Sequence, residues 1–239
     1  MKIYFFDTET TGNTPDSHLC QLAVKEMGVD EPVLNNLYKP PVPIPIECTM
    51  VHGITNKAVA DKPAFPQSPE YGFIKSLFED PDTILAAHNC AFDEQILHND
   101  GIYPTNMICT FKVIRNLDDE NKFAMHKLQY LRYALDMELD APAHDAWGDV
   151  VVLEKLFDYE LVTAMTKWNM DQDRVLEEMM RITTEPITFR HFSFGKYKGK
   201  TIEEVAATDP GYLRWLLDQK KQSEQDETDW IHTLQKYVK

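Results

Sequence analysis

Ile3-Tyr4-Phe5-Phe6-Asp7-Thr8-Glu9-Thr10-Thr11-Gly12 begins with four apolar or aromatic residues that run straight into two acids. Residues 2–8 read as a buried strand. Asp7 and Glu9 stand two apart at its end. Side chains on a strand alternate with period two, so both carboxylates leave the same face. Two acids on one face beside an apolar strand repel each other and lose hydration, which costs stability unless a cation lies between them. Taken alone, the motif is equally a pair of solvated acids at a strand end.

Outward from this strand, residues 19–28 and 33–39 read as two more strands, joined by a polar link around Asp30. Together they make a three-stranded antiparallel start. Pro40-Pro41-Val42-Pro43-Ile44-Pro45 bars a helix and an inner strand alike, so an extended crossing loop is expected. Ser68-Pro69-Glu70 opens a helix to about Asp80. Thr83–Ala87 is a short buried strand, and Phe92–Asn99 a helix ended by Gly101. Further helices are expected over 109–117, 127–136 and 146–167. The alternation of strand and helix predicts an α/β fold. Residues 166–185 read as a helical linker. A second unit starts near Glu185-Pro186. In it Thr188–Phe194 alternates as a strand and 195–200 is a turn. Thr201-Ile202-Glu203-Glu204 has a capping-box pattern, and Asp209-Pro210 opens another helix.

Two further clusters follow apolar segments or loops. His88-Asn89-Cys90-Ala91-Phe92-Asp93 lies where a strand ends and a helix opens, the place where α/β sheets bind ligands. Asp93 falls in the first helical turn, where the macrodipole favours a carboxylate. His144-Asp145-Ala146-Trp147-Gly148-Asp149 follows the loop Asp140–Ala143, with His144 just outside a helix and Asp149 near its start. A loop histidine beside a rigid helical acid suits a general base next to a metal ligand. Each cluster alone also reads as simple capping. Together, in chain order, they offer four carboxylates at element ends. Converging carboxylates can hold two divalent cations about 3.5–4 Å apart, and oxygen ligands select hard ions such as Mg²⁺ or Mn²⁺.

Composition bounds the alternatives. At 239 residues, 43% hydrophobic and 26% charged, the chain is ordinary for a globular protein, which excludes collagen-like and wholly disordered classes. No run reaches the ~18–20 apolar residues of a membrane span, and the N-terminus lacks a signal-peptide pattern, so a cytoplasmic protein without membrane partners is expected. Cys20, Cys48, Cys90 and Cys109 have no zinc-site spacing and read as free, mostly buried thiols. The net charge of −15 argues against a surface that wraps nucleic acid. Its distribution changes that. Residues 1–160 hold 12 basic and 26 acidic residues, whereas 188–221 hold seven basic and four acidic. Lys196, Lys198 and Lys200 interleave with Tyr197 after Phe192 and Phe194, a pattern that suits a single-strand clamp. The aromatics read equally as core, and Tyr212, Trp215 and Leu216 at helical spacing read as core rather than platform.

The segments Asp7–Gly12, Asn89–Asp93 and His144–Asp149 resemble the three motifs of the DEDDh 3′-5′ exonuclease family, whose members include polymerase proofreading subunits and exonuclease X. His52-Gly53-Ile54-Thr55 resembles a substrate-side motif between the first two. The likeness spans roughly residues 1–165. Trp147 departs from the pattern, since smaller or aliphatic residues are frequent there. Phe192–Lys200 and Asp209–Leu216 resemble the region appended in the exonuclease X branch rather than the polymerase-binding tail of proofreading subunits.

The resemblance implies an α/β fold of RNase H-like type over 1–165, a mixed central sheet flanked by helices. A linker over 166–185 and a small α+β module over 186–239 would follow. It implies that Asp7, Glu9, Asp93 and Asp149 hold two Mg²⁺ or Mn²⁺ ions and that His144 deprotonates the attacking water, a task suited to an imidazole. Thr10, Thr11 and Gly12 would present backbone amides to the terminal nucleotide, and His52 and Asn89 would contact its sugar or phosphate, with plain turn residues the equal alternative; Lys196, Lys198 and Lys200 are read, from their own pattern, as contacts to the DNA strand. The partner implied is DNA with a free 3′ end, single-stranded or at a duplex end, and the setting DNA repair. An RNA 3′ exonuclease, a proofreading subunit and a non-catalytic binding protein on the same fold are the alternatives.

Overall fold

The strand β1 (Lys2–Thr10) is the centre of a five-stranded sheet. The computed structural model describes residues 1–120, 122–192, 194–223 and 227–238. Along the chain follow β2 (Leu19–Glu26), β3 (Leu34–Leu37), α1 (Ile46–His52), α2 (Tyr71–Phe78), β4 (Thr83–Ala87), α3 (Ala91–Asn99) and β5 (Met107–Cys109). Then come α4 (Thr110–Leu117), α5 (Leu128–Ala134), α6 (Ala146–Trp168), α7 (Gln172–Thr184), α8 (Ile202–Thr208), α9 (Pro210–Lys221) and α10 (Thr228–Tyr237). The strand order is β3-β2-β1-β4-β5. β1 runs antiparallel to β2, with Asp7 opposite Ala23 and Glu9 opposite Gln21, and parallel to β4, with Phe5 opposite Ala86. The sheet is therefore mixed, as expected. The register shifts between Glu9 and Thr10, so β1 bends just past its second acid.

Helices cover both faces of β1, which is why Ile3–Phe6 is buried without alternation. Ile3 and Phe5 pack on one face with Val150, Leu153 and Phe157 of α6, and Phe5 meets Phe157 edge-on at 5.3 Å. Tyr4 and Phe6 pack on the other with Ile74 and Phe78 of α2 and Ile96 and Leu97 of α3. An ion pair between Lys25 and Glu154 at 2.7 Å, buried on both sides, ties β2 to α6, and the amide of Gly28 also donates to Glu154 at 2.8 Å.

The chain divides into two compact units, residues 1–183 and 184–239. This corrects the expected linker over 166–185. The segment is helical, but α7 buries Val175, Leu176, Met179 and Ile182 in the same core layer as Phe5 and Phe157. Its apolar stripe needed a partner, and the first unit supplies one. The second unit packs α8, α9 and α10 around Phe192, Ile202, Val205, Leu213 and Trp230. Its expected strand over Thr188–Phe194 is reduced to one antiparallel bridge between His191 and Thr201, flanked by backbone hydrogen bonds from Phe192 to Lys200 at 2.9 Å, from Gly199 to Phe192 at 2.7 Å and from Ile202 to Arg190 at 2.9 Å. Ser193, inside that stretch, lies outside the described residues. The capping box at Thr201 and Glu204 and the Asp209 cap are both present. All four cysteines are free, and Cys20, Cys90 and Cys109 are buried. No described helix is long and apolar enough to cross a membrane.

Candidate active site

Asp7 and Glu9 continue the Ile3–Phe5 face of β1, the face that α6 covers. On α6, Asp149, Leu153 and Phe157 fall four residues apart and so share one stripe. Burying Leu153 and Phe157 against β1 carries Asp149 onto the two acids. One carboxylate oxygen from each of Asp7, Glu9 and Asp149 lies within 4.8 Å of the others. Burial raises the carboxyl pKa of Asp7 well above its ordinary range, and the charges of Asp93, Asp149 and Glu9 add to it. Burial likewise pushes Glu9 up to about 8, helped by Asp149, Asp145 and Asp93. Burial raises Asp149 too, against a hydrogen bond from Gln129 and the nearby charge of His144, which lower it.

Three polar side chains that the sequence did not single out hold this arrangement. Gln129 of α5 donates to Asp149 Oδ1. Arg132, buried one turn on, donates to Gln129 Oε1 at 3.5 Å, to the Ala141 carbonyl at 2.7 Å and to the Leu139 carbonyl. It thereby fixes both the glutamine and the loop that leads to His144. Gln21, opposite Glu9 on β2, donates to Asp145 Oδ1 at 2.9 Å and accepts from the Ala146 amide at 3.3 Å. The available signal for Gln21 was a lone amide in the apolar run Leu19–Val24. Gln129 and Arg132 sit too far from Asp149 in sequence for any spacing rule to reach. Asp145 caps α6, accepting from the Gly148 amide at 3.1 Å. Gly148 is required by close approach: a Cβ there would lie 2.0 Å from the Pro142 carbonyl oxygen. Trp147, the departure from the family pattern, lies in the first turn of α6 and packs against the core.

His144 is exposed and has φ of 58°, a left-handed conformation, and its amide donates to Asp149 Oδ2 at 3.2 Å. Asp93 is buried but stands outside the 4.8 Å cluster. It belongs to α3, on the opposite face of the sheet, where Thr8 donates to its Oδ1 at 2.6 Å. Burial raises its pKa to about 7 although that bond opposes the shift. Asn89, with φ of 65°, makes the turn from β4 into α3, and its carbonyl accepts from the Phe92 amide at 3.3 Å. Thr10 and Thr11 are buried, and their hydroxyls are used locally. Thr10 donates to the Gly12 carbonyl, and Thr11 accepts from the His18 amide at 2.9 Å. The Thr11 amide donates to the His18 carbonyl. Gly12 crowds Ser17, whose Oγ would lie 2.8 Å from a Cβ. His52 Nδ1 accepts from the Ile54 amide at 3.0 Å, which leaves the proton on Nε2 to donate to the Thr10 carbonyl at 3.2 Å. Burial lowers its pKa, against the hydrogen bond to the Thr10 carbonyl. Lys196, Lys198 and Lys200 are exposed on the second unit.

The residues present fit a divalent cation. The donors are oxygens alone, and the carboxylates are crowded, partly dehydrated and held by other residues. A cation between them relieves both the mutual repulsion and the burial of charge.

The chain is similar to known proteins in both units. Residues 4–157 match the Exonuclease family, and residues 192–221 match the Exodeoxyribonuclease X-like C-terminal family. The chain is 30% identical over 216 residues to Exodeoxyribonuclease 10 of Escherichia coli strain K12, which covers 89% of each chain. The fold is shared with exonuclease X solved in complex with 5′ overhanging duplex DNA, at TM-score 0.58 and 24% identity, covering 76% of this chain and 99% of that one. It is shared also with E. coli exonuclease I solved in complex with a dT13 oligonucleotide, at TM-score 0.59 and 20% identity, covering 70% of this chain and 42% of that one. With its acids gathered at the end of β1 and its second unit matched as well, the chain belongs to the exonuclease family.

Proposed function

We infer that the protein is a divalent-metal-dependent exodeoxyribonuclease that removes nucleoside monophosphates from DNA 3′ ends. The observation that carries this reading is the convergence of Asp7, Glu9 and Asp149 within 4.8 Å. The name of the E. coli relative, Exodeoxyribonuclease 10, supports DNA as the substrate.

Divalent cations bound here, Mg²⁺ or Mn²⁺ and two per site, supply Lewis-acid activation of the attacking water and stabilise the departing 3′ oxygen. The chain's own residues do the rest. Asp7, Glu9 and Asp149 hold the cations on the α6 face of β1, and Asp93 reaches in from the α3 face, oriented by the Thr8 hydroxyl. Gln129 fixes the rotamer of Asp149. His144 takes the proton from the attacking water. Its exposed place just before α6 leaves the ring room to do so, and the hydrogen bond that its backbone amide donates to Asp149 Oδ2 keeps it beside the acids. Thr10, Thr11 and Gly12 shape the turn against which the terminal nucleotide is set. His52 braces that turn through the Thr10 carbonyl, and Asn89 contacts the sugar or phosphate. Lys196, Lys198 and Lys200 neutralise phosphates on the second unit. We place the enzyme in the cytoplasm, working in DNA repair.

The test is a 5′-labelled DNA oligonucleotide and its RNA counterpart, each incubated with Mg²⁺ or with EDTA. Stepwise shortening of the DNA that EDTA abolishes is the expected result. Faster loss of the RNA overturns the substrate while keeping the site. No shortening of either by folded protein overturns the enzyme.

A further inference from the structure

Trp215 is 54% exposed, although its neighbours Leu213, Leu216 and Leu217 on α9 are buried. This corrects the helical-spacing reading, which put it in the core. Trp230, by contrast, is 8% exposed and stacks on Phe189 and Phe192 inside the second unit. A large aromatic surface left in water has a cost that the core of this unit does not explain.

From Trp215 a chain of aromatic rings leads to a basic turn. The Tyr212 ring lies 5.5 Å from it at 38°, and Tyr197 meets Tyr212 edge-on at 4.9 Å. Lys196 Nζ sits 4.7 Å from the centre of the Tyr197 ring and Lys200 Nζ 5.7 Å from it. Asp209 organises the group. It accepts the Tyr197 hydroxyl at 2.6 Å, the Lys196 ammonium at 3.3 Å and the Tyr212 amide at 3.1 Å. The turn that carries the lysines packs closely on Tyr212, since a Cβ on Gly195 would lie 3.1 Å from the Tyr212 hydroxyl. Arg214 and Lys198 are exposed.

We propose that Trp215, backed by Tyr212 and joined through Tyr197 to the turn that carries Lys196, Lys198 and Lys200, is a nucleobase-stacking platform for single-stranded DNA on the second unit. The proposal rests on the nuclease reading for its choice of polymer and deepens it. Two facts select the occupant. An open indole face stacks any unpaired base, whatever its identity, and a base inside a duplex offers it no face. The lysines match a phosphate backbone. Asp209, the acid that joins the Tyr197 and Tyr212 rings, is already engaged by Tyr197 and Lys196, while Asp218, three residues on from Trp215 on α9, is exposed and is outweighed by the three lysines and Arg214. The rings are held in place before binding, which lowers the entropy lost on association.

The experiment measures binding, not cleavage. Full-length protein in EDTA is titrated against fluorescein-labelled oligo(dT), an abasic strand of equal length, and a blunt duplex. Trp215→Ala is expected to weaken oligo(dT) binding about fivefold or more, the scale of one lost stacking contact. Binding of the abasic strand and the duplex, and the thermal midpoint, should not change, and Trp215→Phe should retain most of the affinity. Replacing Lys196, Lys198 and Lys200 together by Gln should weaken both single strands and reduce the salt dependence. Unchanged oligo(dT) affinity in Trp215→Ala, or an equal loss on the abasic strand, overturns the platform. Because no metal is present, this outcome is separate from catalysis. Selective oligo(dT) binding by a protein that shortens no DNA in Mg²⁺ refutes the nuclease reading and leaves the platform standing.

Discussion

Asp149 accepts from Gln129 through one oxygen and from the His144 amide through the other, so its carboxylate has a fixed orientation before any cation arrives. Preorganised ligands of this kind lose little on binding, and removing such an outer partner typically costs about 10–100-fold in metal affinity or activity. Gln129→Leu should therefore weaken Mn²⁺ binding, read by electron paramagnetic resonance, by about that factor. Asp149→Ala should abolish both binding at its site and nearly all turnover while the protein stays folded. His144→Ala should behave differently: turnover falls about 10²–10⁴-fold, the scale of a lost general base, with Mn²⁺ binding retained. Loss of binding in His144→Ala would make it a ligand instead.

The acids of the site also predict how metal and pH act on stability. Without a cation, Glu9 titrates near 8, Asp93 near 7, and Asp7 and Asp149 are raised, all chiefly by burial. In the unfolded chain such groups titrate near about 4. The folded state thus holds protons that the unfolded state has released. Below about pH 4 both states are protonated and nothing is lost. From there to about pH 8 the metal-free protein loses stability as these protons are withdrawn. Thermal midpoints in EDTA should fall across that window, and Mg²⁺ should raise them more at the alkaline end than at the acidic end. In Glu9→Gln both trends should flatten.

At the scale of elements, α6 decides the site. Its stripe of Leu153 and Phe157 registers it on β1, Glu154 pins it to Lys25, and Asp145 caps its start while Gln21 ties that cap to the sheet. Gly148 lets the loop before it lie directly on the first turn. Gly148→Ala should push the Pro142 carbonyl away, and with it the loop that carries His144. We expect a loss of turnover comparable to that of His144→Ala, together with a lowered thermal midpoint. Wild-type kinetics in this variant would show that the loop has another place to go. Sequence spacing put Asp149 near a helix start, but it took the packing stripe to show which carboxylates that start would meet.

For the whole molecule, charge is divided between two units with separate cores. The first holds most of the excess acid, and the second carries the lysine turn. Removing residues 185–239 should leave turnover on short, saturating oligonucleotides near its original value. Capture of long single strands should weaken, and its dependence on salt should flatten, since fewer phosphates are neutralised. Capture and salt slope identical to those of the full chain would assign the second unit to another task.

Local pattern was enough for several features. The buried first strand, the paired acids at its end, β4 from Thr83 to Ala87, the caps at Thr201 and Asp209, and the order of the three motifs all follow from residues within a few positions of one another. Period, charge and turn chemistry act over that range, and they made the α/β class and the acidic centre legible. Other features depend on which surfaces meet. The short β5 and the helices α1 and α10 had no clear local signal. The 166–185 stretch read as a linker because its apolar stripe has no sequence neighbour to cover it. Asp93 lies outside the tight group of the other three acids, though close enough for its charge to act on Asp7, because it comes from α3 and is bound to Thr8. Gln129 and Arg132 reach Asp149 and its loop only through packing, and Trp215 lies in water only because the core of its unit closes without it. Spacing along a chain records which residues share a face, whereas contact between faces is decided by the close packing of the folded protein.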